Sequence, residues 1–373
     1  MDGPGGSVKV LYLSMGHTAH DHRFLTSLVS AGYEMAHLPW RPSSVPQESR
    51  PWPAAVRRYE PRVARESLPG RWRRLLRAAQ EFGPDLVHAG PIPGPTFWAA
   101  AQRHHPLVAM SWGSDLLWDA RRGPNRWRAR FALHRSSVFL GDCEAVRQAG
   151  LRLGMPADRI VIFPWGVDLR MFSPGAGLRW RLDHGWGEQF VILCTRSWER
   201  VYGVDLLLES FLRARVREPS LRLLLVGSGS LEADLRRRVE RADAAEWVHL
   251  AGRVAYDDLP AWYRSADLFV SPSRTDGTSV SLLEAMACGM AIVVSDIASN
   301  REWVRQGENG WWFRNGDRAS LEEAILSARR SGDRTEMGRR ARATAEDRAD
   351  WSSHIRLLTG AYEMAGARRQ AFA

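Results

Sequence analysis

The chain has 373 residues, is 45% apolar and 25% charged, and carries 52 basic against 42 acidic side chains. At roughly 150 residues per domain this length predicts two domains, and the composition excludes a disordered or fibrous chain. No run of about 18 apolar residues occurs and residues 1–7 lack the basic-then-apolar order of a secretory signal, so neither a membrane-spanning helix nor an exported chain is expected.

In chain order, residues 8–13 form a β-branched apolar run that predicts a strand, and it ends in the small and polar Ser14-Met-Gly-His17. Residues 24–31 carry helical spacing and stop at Gly32. Residues 41–69, rich in proline and polar side chains, predict a long mobile connection. Residues 86–88 and 107–110 read as further buried strands. After a Pro/Gly-rich bridge at 173–177, a second series of strands is expected at 190–194, 221–226, 248–250, 268–270 and 291–294. Helical stretches at 204–216 and 231–242 separate them, and residues 351–365 have helical spacing before a polar tail with Arg368 and Arg369. Short apolar strands alternating with amphipathic helices predict parallel sheets. Two such series predict an α/β protein of two facing Rossmann-like domains, with ligands in the cleft at the carboxyl ends of the strands.

The charge is uneven. The first 170 residues hold 23 basic and 14 acidic side chains, the remainder 29 and 28. One basic run spans Arg57 to Arg77, and a second, Arg121, Arg122, Arg126, Arg128, Arg130 and Arg135, is interleaved with Trp127 and Phe131. Two readings stand. One is a solvated face in a chain whose only lysine is Lys9; the other is a surface that meets anionic lipid headgroups. Nucleic acid rests on charge alone and is not expected. Three cysteines, Cys143, Cys194 and Cys288, form no close pair, which argues against a disulfide framework or zinc ribbon and fits a reducing cytosol.

The loops after strands carry the candidate chemistry. Gly16, ahead of a helix, permits close backbone approach to an anion. His17, His20 and His22 beside it are expected to make polar contacts rather than hold a metal. Gly227-Ser-Gly229 follows a strand as a phosphate-binding turn would, but the glycine fingerprint of a nicotinamide-binding protein is missing after the first strand. The strongest signal is Ser271 to Gly289. There Asp276 is expected at the mouth of a helix and Glu284 about two turns inside it. Backbone N–H groups of Gly277, Thr278 and Ser279 would point at an anion.

This last block resembles the signature of the family-four retaining glycosyltransferases of the GT-B fold. Pro84-Asp85, Trp112-Gly-Ser-Asp115, Pro164 to Asp168, Thr195-Arg196, Gly227 to Gly229, Ala251 to Val254 and Gly307 to Gly310 agree with that family in order and spacing. The resemblance implies an acceptor-binding domain over 1–172, joined by a crossing helix at about 351–373, and a donor-binding domain over 173–350. It implies that Glu284 holds the ribose of a nucleotide-sugar and that Asp276 touches the transferred sugar. Gly277, Thr278, Ser279, Gly16 and Gly227 would lie at the diphosphate, Arg196 would neutralise it, and Arg253 and Val254 would flank the base. Arg196, Asp276 and Asp115 are the implied catalytic groups, and His17, His88 and Trp112 the expected acceptor contacts. Of the tryptophans, Trp112 and Trp165 are the two expected at ligand. No cofactor or metal is implied, and the acceptor is expected to be a glycan or lipid-linked, at the inner face of a membrane. Two departures stand out. Tyr202 occupies the place of a lysine usual in the family, leaving Arg200 as the substitute cation, and Trp112 replaces a usual histidine. They keep open a second reading, a nucleotide-sugar-binding subunit with weakened turnover.

Overall fold

The computed structural model describes residues 7–44, 48–63, 66–102, 106–177 and 179–371. The chain forms two compact units, Met1–Pro164 with Ser353–Ala373, and Trp165–Ser352. The division falls at Pro164 rather than at residue 172. Val167 and Phe172 are buried in the core of the second unit, and the Val167 N–H donates to the Ala349 carbonyl at 2.7 Å.

In the first unit the described strands are β1 (Lys9–Ser14), β2 (Glu34–Pro39), β3 (Arg57–Arg58), β4 (Leu86–Ala89), β5 (Leu107–Met110), β6 (Val138–Gly141) and β7 (Ile160–Ile162). They pair in parallel in the order β3-β2-β1-β4-β5-β6-β7. Helices cover both faces, which is why β1, β4 and β5 read as continuous apolar runs. The first helix begins at Ala19, earlier than its apolar spacing suggested. Thr18 and Asp21 close a capping box there, so His20 and His22 lie in the helix rather than in a loop. The connection expected over 41–69 is partly structured. Val56 and Tyr59 are buried, Trp52 stacks on His17 at 3.7 Å, and Arg57–Arg58 adds the edge strand; residues 45–47 and 64–65 lie outside the described residues.

The second unit contains β8 (Phe190–Cys194), β9 (Leu221–Val226), β10 (Val248–Gly252), β11 (Leu268–Ser271), β12 (Ala291–Ser295) and β13 (Trp311–Phe313), all parallel, in the order β10-β9-β8-β11-β12-β13. This order matters for function. It sets the loops after β9, β8 and β11 side by side at one end of the sheet, although more than 70 residues separate β8 from β11 in sequence.

The final helix, Trp351–Ala371, runs through the expected polar tail. Leu358, Ala361, Tyr362 and Ala365 are buried, and Arg368 pairs with Asp158 at 2.6 Å. Among the described residues no helix is long and apolar enough to cross a membrane.

Candidate nucleotide-sugar site

The site assembles at the carboxyl end of the second sheet. β11 ends at Ser271, and a loop leads to Ser279, which caps the helix Val280–Ala287 by accepting from the Leu282 N–H at 3.3 Å. The helix starts at Val280, so Glu284 lies in its second turn, one turn nearer its mouth than expected. Helix geometry turns the N–H groups of Val280 and Ser281 out of that end, whereas the Gly277 N–H is engaged by the Asp276 carboxylate.

Next to it β8 ends at Cys194 and delivers Arg196. Its Nη2 donates to Asp276 Oδ2 at 2.6 Å, and Nη1 donates to Ser279 Oγ at 2.7 Å and Ser281 Oγ at 3.2 Å. The guanidinium lies over the Tyr202 ring, 4.1 Å from its centroid. Arg196 is 11% exposed along its side chain and Asp276 8%. Burial works against the charge of Arg196, but the Asp276 carboxylate, together with Tyr202, Cys194 and Tyr263, more than offsets it and holds the arginine above its ordinary pKa. Burial pushes the Asp276 carboxyl up, against the pull of Arg196. One cation, one carboxylate and two hydroxyls therefore meet at a helix mouth.

Glu284 is buried. The Tyr263 hydroxyl, on the short helix Leu259–Arg264, donates to its Oε2 at 2.7 Å and lies 2.7 Å from Thr195 Oγ1. Burial and the nearby Glu284 raise the Tyr263 phenol well above its ordinary value, so it stays a proton donor at neutral pH. Tyr263 and Ser299, whose Oγ donates to the Asp276 carbonyl at 3.0 Å, escaped sequence reasoning because no spacing links them to the signature, and Ser281 lies within the signature but was not singled out there.

The glycine turn after β9 closes the same end. Gly227 has φ 146, and a Cβ there would meet the Arg196 carbonyl at 2.8 Å, so only glycine fits against the Arg196 strand end. Its N–H donates to the Gly252 carbonyl, which brings up the turn carrying Arg253 and Val254; Arg253 is exposed and Val254 packs on the core. Arg200 is exposed, and its carbonyl accepts from Arg274 Nε at 3.0 Å.

In the first unit the expected residues fall into two groups. The Gly16 carbonyl accepts from Ser14 Oγ at 2.7 Å, and His17 is buried under Trp52, where burial lowers its pKa to about 4. Asp115 accepts from Ser111 Oγ (2.6 Å), the Ile92 N–H (2.8 Å) and the Trp112 N–H (2.9 Å). Burial raises it to about 6 against those bonds. These contacts make it the organiser of the loops after β4 and β5. Trp112 is partly exposed, its ring 5.4 Å from that of His20. His88 does not reach a surface. It is fully buried on β4, hydrogen-bonded through Nδ1 to the Tyr362 hydroxyl at 2.6 Å, and holds the last helix. Trp165, which opens the second unit, is buried at 2% exposure. Among the described residues no three His, Cys, Asp or Glu side chains group as a metal would need.

Comparison with known proteins bears on the whole arrangement. Residues 189–330 match the family model of glycosyl transferases group 1, and residues 16–170 that of glycosyltransferase family 4. The chain is 28% identical over 274 residues to a D-inositol 3-phosphate glycosyltransferase of Pseudarthrobacter chlorophenolicus, covering 70% of this chain and 64% of that one. It is 30% identical over 164 residues to a GDP-mannose-dependent alpha-(1-6)-phosphatidylinositol monomannoside mannosyltransferase of Mycolicibacterium smegmatis, covering 42% and 43%. The chain thus spans less than two thirds of the length of these curated relatives. Among solved structures it resembles sucrose-phosphate synthase from Thermosynechococcus elongatus (TM-score 0.79, 18% identity, 98% and 99% covered). It also resembles Anabaena HepE in complex with UDP and glucose (TM-score 0.77, 18% identity, 95% and 99% covered). At that identity these likenesses show the fold, two parallel-sheet α/β domains. Between them the two family models match most of the chain, and it belongs to the family-four glycosyltransferases of the GT-B fold.

Proposed function

We propose that this protein transfers a sugar from a nucleotide-sugar donor to an acceptor hydroxyl with retention of anomeric configuration and without a metal. The observation that carries the reading is the convergence of Arg196, Asp276, Ser279, Ser281 and Glu284 at one helix mouth. Departure of a nucleoside diphosphate develops negative charge, and a preorganised cation with helix-end N–H donors stabilises it. Glu284, oriented by Tyr263, accepts from ribose hydroxyls. Asp276 takes hydroxyls of the transferred sugar. The departing phosphate accepts the proton of the attacking hydroxyl on the same face, so no dedicated protein base is required.

The acceptor is assigned to the first unit and to the anionic polyol or lipid-linked class. Two relatives named for inositol phosphate and phosphatidylinositol mannoside acceptors support that class. A basic surface supports it as well. Trp118 and Trp127 are 50% and 60% exposed among Arg121, Arg122, Arg126 and Arg130. Aromatic contacts run from Trp127 through Phe97 and Trp98 to Trp72, joining the helices Gly123–His134 and Leu68–Phe82 into one face suited to anionic headgroups.

The test is incubation of the full chain with UDP-glucose, GDP-mannose, ADP-glucose and dTDP-glucose, following hydrolysis and, with inositol phosphate or phosphatidylinositol, transfer. One donor is expected to turn over, to give an α-linked product by the proton NMR coupling of its anomeric centre, and to fail with Glu284→Ala. A β-linked product overturns retention. Binding without any turnover supports the weakened-subunit reading, which Tyr202 and Trp112 at their two positions favour.

A further inference from the structure

Arg196 is held in an unusual way. Its Nη1 and Nη2 are engaged by Ser279, Ser281 and Asp276, whereas its Nε, although buried, has no hydrogen-bond partner among the described residues. The remaining contact is made by a face. The Tyr202 ring lies 4.1 Å from the guanidinium carbon, on the short turn Arg200–Tyr202 that follows the Arg196 loop. A guanidinium donates only in its plane, so a ring against its face holds it without consuming any N–H. A cation at the Tyr202 position would repel Arg196, and a carboxylate there would consume a donor. An aromatic ring does neither.

We propose that Tyr202 is a positioning residue for the diphosphate of the donor: it clamps Arg196 by its π face, so that one guanidinium is held at the helix mouth without an N–H being spent on the clamp. This rests on the donor-site reading above. The turn itself is built to hold the ring in place. Gly203, which ends it, has φ 67, and a Cβ there would run into the Pro272 carbonyl at the start of the β11 loop. Arg274, from that same loop, fastens the turn through the Arg200 and Val201 carbonyls. The Arg196 loop and the helix mouth are thus locked to each other on both sides of the guanidinium.

The experiment is calorimetric titration of the full chain with UDP, GDP and ADP and with the matching nucleosides, on wild type, Tyr202→Phe, Tyr202→Leu and Tyr202→Met. For the tightest diphosphate, Tyr202→Phe is expected to bind within about twofold of wild type, while Tyr202→Leu and Tyr202→Met bind about 5- to 30-fold more weakly. Affinity for the nucleoside is expected to stay unchanged in all three. Melting curves identify which variants fold, and either non-aromatic variant alone decides the matter. The inference is overturned if a folded non-aromatic variant binds the diphosphate like wild type. It is overturned equally if Tyr202→Phe falls as far as Tyr202→Leu, or if nucleoside affinity falls in step. Glu284→Ala separates the two levels. If it abolishes nucleotide binding while the Tyr202 variants are silent, only this inference fails. If no nucleotide binds wild type, the donor-site reading fails with it.

Discussion

At the scale of single residues, burial decides which groups carry charge. His37 and His88 are fully buried, and desolvation lowers each to about 3; around His37, the neighbouring His17 and Arg74 add to the effect. The unfolded chain takes up protons on these rings near 6.5 while the folded chain does not. Each therefore contributes stability that is present above 6.5 and is lost as pH falls toward 3, at about 1.4 kcal/mol per pH unit per ring. Asp115, raised to about 6, works in the opposite sense: its contribution is present below about 4 and lost as pH rises through 6. With His17, lowered to about 4, acting in the same sense as His37 and His88 against the Asp115 carboxyl, the first unit is expected to melt lower at pH 5 than at pH 7. In His88→Gln, pH-dependent melting should become shallower by one proton, and an unchanged slope would show that His88 does not titrate in this window. Residue identity also explains why the site was only half legible. Asp276 and Glu284 could be found because they lie eight positions apart in one sequence block. Tyr263 could not, because its partner Glu284 is set by the fold, and the stacking of Tyr202 on Arg196 could not, because it depends on the shape of the turn between them rather than on any spacing.

At the scale of elements, the helix Val280–Ala287 connects stability to function through its cap. Ser279 Oγ accepts from the Leu282 N–H and from Arg196 at once. Ser279→Ala is expected to cost about 1 kcal/mol of stability, by analogy with other lost caps, and also to weaken nucleotide binding. Chemical denaturation and calorimetry read the two effects, and a variant that loses stability alone would separate the cap from the site. Gly203→Ala is expected to destabilise the second unit by more than about 1 kcal/mol, since it adds a left-handed penalty to a clash with the Pro272 carbonyl. Strand prediction followed the same physics. β8, β9, β11 and β12 are buried on both faces and read as plain apolar runs. β3 is two exposed arginines at a sheet edge. β2 hides a histidine whose Nε2 lies 2.9 Å from Ser14 Oγ, a partner that no local pattern reveals.

At the scale of the whole molecule, the final helix returns the end of the chain to the first unit. It buries Leu358, Ala361, Tyr362 and Ala365 there and supplies the partner of His88. Truncation after Ser352 is expected to lower the melting of the first unit and leave the second near its original value, as followed by differential scanning calorimetry. The charge imbalance is also a whole-molecule property. Sedimentation with vesicles containing anionic lipid is expected to carry the protein down at low salt and to lose it in Trp118→Ser/Trp127→Ser. Equal binding of that variant would remove the aromatic face from the account.

On the reading proposed above, the helix mouth after β11 receives a nucleoside diphosphate, with Glu284 on the ribose and Arg196 on the phosphates. Calorimetric titration of UDP, GDP and ADP into wild type, Glu284→Ala and Arg196→Lys tests it most directly. One nucleotide is expected to bind wild type, Glu284→Ala to lose at least about tenfold, the scale of one to a few charge-assisted hydrogen bonds, and Arg196→Lys to weaken the diphosphate but not the nucleoside. A nucleotide that binds all three proteins alike would place the site elsewhere in the molecule.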